Sequence, residues 1–140
     1  MASHSSESII RENRTASGVA VLGCCLLLAG CAPGTYQSAP VDAAVARKTL
    51  ERVMESWKNG ESIESLRKQS PAVVVQDFDW LYGIELLDYE VVDRGKEANA
   101  NLIAHVKLTL KDKEGAEFEK KVTYLVGTAP ALTVFRDMFH

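Results

Sequence analysis

The sequence predicts an α+β domain: one long N-terminal helix and one short helix packed on a four-stranded antiparallel meander. Apolar residues recur at helical spacing over residues 42–58. They alternate with polar residues at the strand period over 101–111, and turn-forming residues separate the segments beyond.

The first helix runs from about Asp42 to Lys58. Ala46, Leu50, Val53, Met54 and Trp57 follow one another at spacings of 4, 3, 1 and 3, which stacks them on one face. Arg47, Lys48, Glu51, Arg52 and Glu55 take the other face, where Glu51 and Glu55 are spaced to pair with Arg47 and Arg52. Asp42 is a helix-capping residue, and Asn59-Gly60 supplies a left-handed stop. A short helix follows from Ser62 to Lys68, with Ile63 and Leu66 inward and Pro71 preventing continuation.

Ala72–Val75 is a short apolar run, and four strands are expected from Ile84 onward. The first spans about Ile84–Val92, turning near Arg94-Gly95. The second, about Asn101–Lys111, sets Leu102, Ala104, Val106, Leu108 and Leu110 against a face of His105, Lys107, Thr109 and Lys111. Such alternation marks a strand with one face on the core and one in water. Asp112–Gly115 reads as a hairpin turn. The third strand, about Glu117–Val126, carries Phe118, Val122, Tyr124 and Val126 on one face. After Gly127-Thr128-Ala129-Pro130, residues Leu132–Met138 close the meander.

A chain of 140 residues with 46% apolar and 25% charged content is that of one ordinary globular domain. The net charge of −3 comes from intermixed acids and bases. Nucleic-acid binding draws on a basic stripe, which this chain lacks. All three cysteines, Cys24, Cys25 and Cys31, precede the domain, so its fold has no disulfide or cysteine-ligated zinc to lean on.

The order long helix, short helix, bent sheet resembles the cystatin-like or nuclear-transport-factor-2-like α+β cone over residues 42–138. The resemblance rests on element order. It implies that chemistry, where members perform any, is done by side chains in the space between helix and sheet.

Ahead of the domain, Gly18–Gly30 is a run of 13 uncharged, mostly apolar residues, preceded by Arg11 and Arg14. A membrane-spanning helix needs about 20 such residues, whereas a secretory signal needs fewer. The run ends in Leu28-Ala29-Gly30-Cys31, which resembles the lipobox of bacterial lipoproteins. That resemblance implies cleavage before Cys31, diacylglycerol on its thiol and, in many bacteria, a further acyl chain such as palmitate on its amino group. It implies a lipid-anchored protein of the cell envelope. Ala32, standing where aspartate often signals inner-membrane retention, slightly favours the outer membrane of a Gram-negative cell. Glu7 and Glu12 depart from the usual positive start of such leaders. Three segments result: a signal peptide over 1–30, a lipidated N-terminus and flexible linker over 31–40, and a single α+β domain over 41–140. The linker composition, APGTYQSAP, is small and polar, with proline near each end.

Asp77, Asp79, Trp80 and Tyr82 form the densest polar and aromatic cluster. Two carboxylates beside aromatics can act as general acid and base if burial separates their pKa values. The plainer reading is an aromatic closure of the core end, with or without lining a pocket. Arg136 shares a strand face with Leu132, Val134 and Met138. The commoner outcome for such a residue is a solvated charge with Phe135 turned inward. The other is a buried guanidinium, which would need Asp77 or Asp79 as partner. His105 reads as a surface residue. With only His105 and His140 in the domain, a multi-histidine metal site is excluded. No nucleophile elbow, P-loop or dinucleotide fingerprint occurs, and Gln76 is followed by Asp77-Phe78, not by the Gln-Val-Gly inhibitory loop of cystatins.

The expectation is therefore a membrane-tethered, non-enzymatic binding or assembly module without a cofactor. Its partners would be the bilayer, through acylated Cys31, and an envelope protein or second copy. These would dock on the sheet face carrying Ile103 and Leu125 among Lys107, Thr109 and Thr123. The alternative is a small-molecule-binding enzyme of the cone-shaped type with Asp77 or Asp79 as general base. An open cavity between helix and sheet favours the enzyme; a filled one favours the module.

Overall fold

Helix α1 spans Ala43–Lys58 because its capping and its apolar face agree with each other. The Asp42 carboxylate accepts the Val45 N–H at 3.0 Å, and beyond the last turn Gly60 takes φ +76°. Ala46, Leu50, Val53, Met54 and Trp57 are all buried, as the spacing requires. The charged face departs from expectation. In place of pairs along the helix, Arg47 Nε donates to the Arg94 carbonyl at 2.7 Å and Arg52 Nη2 to the Pro71 carbonyl at 2.7 Å. Glu55 accepts the Tyr89 hydroxyl at 2.8 Å. Carbonyls and a phenol at fixed positions outcompete exposed pairs between two flexible side chains, which contribute little in water.

The computed structural model describes residues 38–139. The expected leader and the lipobox ending at Cys31 lie outside the described residues. Helix α2, Ile63–Arg67, is capped by Ser62 and buries Ile63 and Leu66.

The sheet has six strands and is mixed, which corrects the expected four-stranded antiparallel meander. They are β1 Val73–Gln76, β2 Glu85–Val91, β3 Lys96–Ala98, β4 Asn101–Lys111, β5 Glu117–Gly127 and β6 Leu132–Arg136, with one helical turn, α3 Phe78–Leu81, after β1. Strand order is β1-β6-β5-β4-β2, and β3 also pairs with β4. The α+β class holds, and the curled sheet is broadly compatible with a cone.

Both added strands have a physical origin. The valine run of β1 pairs in parallel with β6, Val73 opposite Leu132 through Gln76 opposite Phe135. A short β-branched run buried on one side and paired far along the chain gives no alternating signal of its own. Strand β3 is only three residues long and lacks an apolar face. Its turn into β4 is Asn99-Ala100, with φ of 49° and 62°, the left-handed pair that a two-residue hairpin demands. The anticipated turn at Gly95 also exists, with φ +77°, but the chain re-enters the sheet after it. A Cβ there would stand 2.9 Å from Leu102 Cδ1, so the site admits no side chain without movement.

The inner sheet face and α1 share one core. Leu102, Ala104, Val106, Leu108 and Leu110 of β4, Val122, Tyr124 and Val126 of β5, and Val134 of β6 meet Leu50, Val53, Met54 and Trp57. Two residues expected on this face are not buried. Phe118 is 39% exposed because the early part of β5 has only β4 beside it; Met138 is 61% exposed, beyond the end of β6. The space between helix and sheet is otherwise filled, with Leu50, Met54, Leu102 and Tyr124 each at most 1% exposed.

Leu50 sits at the centre of this packing, so Leu50→Ala should destabilise the domain by about 2–5 kcal/mol through a lost side chain and a residual cavity. A fall in the urea midpoint with an unchanged slope would show it.

Candidate functional site

The parallel pairing of β1 with β6 decides where the charged residues meet. Gln76 is opposite Phe135, so the next residues along each strand, Asp77 and Arg136, emerge side by side. Across the antiparallel β5–β6 pair, Arg136 is opposite Tyr124. Three strands thus deliver one carboxylate, one guanidinium and one phenol to the same buried point.

Asp77 is 1% exposed and each of its oxygens has work. Oδ1 caps α3 by accepting the Trp80 N–H at 3.1 Å. Oδ2 accepts the Tyr124 hydroxyl at 2.6 Å and lies 3.2 Å from Arg136 Nε. Arg136 Nη1 donates to Asp79 Oδ2, which also accepts Lys120 Nζ at 2.9 Å. The guanidinium carbon stands 5.9 Å from the centre of the Tyr124 ring. Of the two arrangements open for Arg136, the structure has the paired one, with the side chain 6% exposed. Phe135 lies on the outer face.

The electrostatics favour fixed charge states. Burial alone would push the Asp79 carboxyl up, but the hydrogen bonds from Arg136 and Lys120, with their charges, outweigh it and hold it below its ordinary value of 3.8. Burial pushes the Tyr124 phenol well above 10.0, and the Asp77 charge adds to that, so the hydroxyl stays a neutral donor. Burial opposes the Arg136 charge, yet Tyr124, Asp77 and Asp79 around it raise its pKa above the ordinary guanidinium value. A general base working near neutral pH needs a reachable carboxyl with a raised pKa. Asp77 is inaccessible and Asp79 is moved the other way. The cluster is built as a clasp.

Trp80 and Tyr82 go elsewhere. The Trp80 ring stacks on Trp57 with centroids 5.3 Å apart and planes 6° from parallel. Both indole N–H groups are used, Trp57 donating to the Ile84 carbonyl at 2.9 Å and Trp80 to the Glu61 carbonyl at 3.0 Å. Tyr82 is 67% exposed and lies 6.3 Å from the Phe78 ring. Asp77, Asp79 and Arg136 therefore converge, while Trp80 joins them only through its backbone. Tyr124 and Lys120 were not anticipated in the cluster. The signal for Tyr124 was its phenol on an inner-facing strand position, because a buried hydroxyl needs an acceptor.

Open grooves flank the helix. One of about 560 Å³ lies below the tryptophan pair, lined by Lys58, Glu61, Ser62 and Glu85 among others. Another, about 400 Å³, runs between α1 and the β2–β3 connection. Neither includes Asp77 or Asp79. Asp79 and Arg136 border a smaller cleft of about 250 Å³ with Phe78, Lys120 and Met138. Among the described residues, no group of three or more histidine, cysteine or acidic side chains is placed to hold a metal. His105 lies on the surface, its Nδ1 2.7 Å from Asp93 Oδ2.

The chain matches no family model, no curated protein and no solved structure.

The outer sheet face carries a row of neighbours across three strands, Ile103 opposite Leu125 and Leu125 opposite Phe135. All three are partly exposed, Thr123 beside them is buried, and Lys107 pairs with Glu119 at 2.8 Å. The row is apolar, and it is continued on β3 by Lys96, which lies opposite Ile103.

Replacing Arg136 with methionine leaves Asp77 buried beside no cation, and breaking such a pair costs about 3–5 kcal/mol. Chemical denaturation at neutral pH measures it. Because the folded Asp79 pKa is depressed, its contribution is present above its unfolded value and disappears as pH falls through the lower, folded one. Asp79→Asn should therefore lose less stability than the wild type on acidification below about pH 4. Parallel denaturation curves across that range provide the comparison.

Proposed function

We propose that the protein is a lipid-anchored lipoprotein of the bacterial envelope whose domain is a non-enzymatic binding or assembly module. The observation that carries the second half is that Asp77 and Asp79 are held in ion pairs, while the centre between α1 and the sheet is packed and the two grooves along its edges include neither carboxylate. An enzyme using Asp77 or Asp79 as base would need one of them free to exchange a proton with a ligand. Their partners oppose that. No helix among the described residues is long and apolar enough to cross a membrane.

In this reading the domain is a variant of the cystatin-like or nuclear-transport-factor-2-like cone, enlarged by the parallel strand β1 and the short β3. The outer row Ile103, Leu125 and Phe135 supplies the docking face for an envelope protein or a second copy. Membrane attachment comes from acylation at Cys31, since two or three chains hold durably where one is marginal. The outer membrane is the favoured site in a Gram-negative cell.

Metabolic labelling with radiolabelled palmitate tests the anchor. Label should enter the wild type and be absent from Cys31→Ala. Equal incorporation in the two rejects the reading.

A further inference from the structure

The two ends of the domain differ sharply in charge, and the chain enters at the uncharged one. Four segments gather there: 38–40 (Ser-Ala-Pro), 70–72 (Ser-Pro-Ala), 98–101 (Ala-Asn-Ala-Asn) and 128–131 (Thr-Ala-Pro-Ala). None contains an ionisable side chain. They are tied together by structure, not merely by composition. The Asp42 N–H donates to Thr128 Oγ1 at 3.0 Å, Asn101 pairs with Gly127, and Val73 opposite Leu132 sets Ala72 beside Ala131. Pro40 and Val41 line a shallow groove with Ala98, Asn99 and Ala100. The charges nearest these segments are Asp42, Glu97, which also lines that groove, and Arg52, whose Nη2 donates to the Pro71 carbonyl. At the other end of β4 and β5, the turn holds Lys111, Asp112, Lys113, Glu114 and Glu117 within seven residues.

We infer that the uncharged end is a membrane-facing surface that rests on phospholipid headgroups. The inference depends on the Cys31 anchor proposed above. Two physical arguments support it. From Cys31 to Ser38 is seven residues, so the tether spans at most about 25 Å. Strand β4, with its 11 residues, extends about 33 Å from one end of the sheet to the other. An inverted domain would hold Ser38 farther from the bilayer than its tether can reach. Desolvation supplies the second argument. Pressing charges toward a low-dielectric layer is costly, whereas alanine, proline and singly polar side chains approach it with little loss. The charged turn stays in water.

The test uses the full chain, processed in cells and reconstituted into vesicles of phosphatidylethanolamine and phosphatidylglycerol. These vesicles include a lipid bearing a nitroxide on its headgroup. Ala131→Cys and Glu114→Cys, both at exposed positions, are labelled separately with bimane. Cleavage removes Cys24 and Cys25, and acylation blocks Cys31. Vesicle flotation is measured first. Floating protein with several-fold stronger quenching at 131 than at 114 is the expected result. Floating protein with equal quenching, or stronger quenching at 114, overturns the orientation while leaving the anchor intact. Protein that stays at the bottom of the gradient overturns the orientation together with the anchor, and the palmitate experiment identifies that failure separately.

Discussion

A buried guanidinium cannot stand alone, and the way Arg136 is paired organises one half of this domain. Its partners come from two parts of the chain: Asp77 and Asp79 some sixty residues earlier, and Tyr124 on the neighbouring strand, while Lys120 of that strand shares Asp79 with it. The parallel β1–β6 register is the only one that sets Asp77 beside Arg136. A slip of one residue would turn the valines of β1 outward and strand the charge among apolar neighbours. The ion pair thus penalises wrong registers more than it stabilises the right one, a role compatible with the small net gain of buried pairs over apolar packing.

The same carboxylate links layers of structure. One oxygen of Asp77 begins α3, and α3 carries Trp80 onto Trp57 at the end of α1. Sheet, helical turn and long helix are therefore joined through a single side chain and its neighbours. That continuity explains why the polar cluster, which looked like a place for proton transfer, is chemically quiet. Both oxygens of Asp77 accept a hydrogen bond within the fold and Asp79 Oδ2 accepts two, so these acids are engaged in holding three elements in place.

Much of the architecture was legible in the residues, for reasons that can be named. Helix α1 announced itself because its caps, its apolar spacing and its length all agreed. Strand β4 did so because water lies on one side and the core on the other. Strands β1 and β3 were hidden for opposite reasons. The valines of β1 are apolar without alternation, and Lys96-Glu97-Ala98 is polar without a core face. Neither segment records locally which strand it will join. For the same reason the fate of Arg136 stayed open: its own strand fixed its side of the sheet, but only the distant partner of that strand could provide the counter-charge. Asp77 and Asp79 stand out as a pair in the sequence, but the turn of helix that begins between them gives them different places: Asp77 caps α3 and Asp79 lies within it.

The sequence holds two tryptophans, and both are in the parallel stack. Their transition dipoles are near enough to couple, so the folded protein should show an exciton couplet in its far-ultraviolet circular dichroism, which separation of the rings abolishes. Because one ring sits on α1 and the other on α3, that optical signal registers the docking of these two elements directly. The molecule carries its own gauge of tertiary order, needing no label.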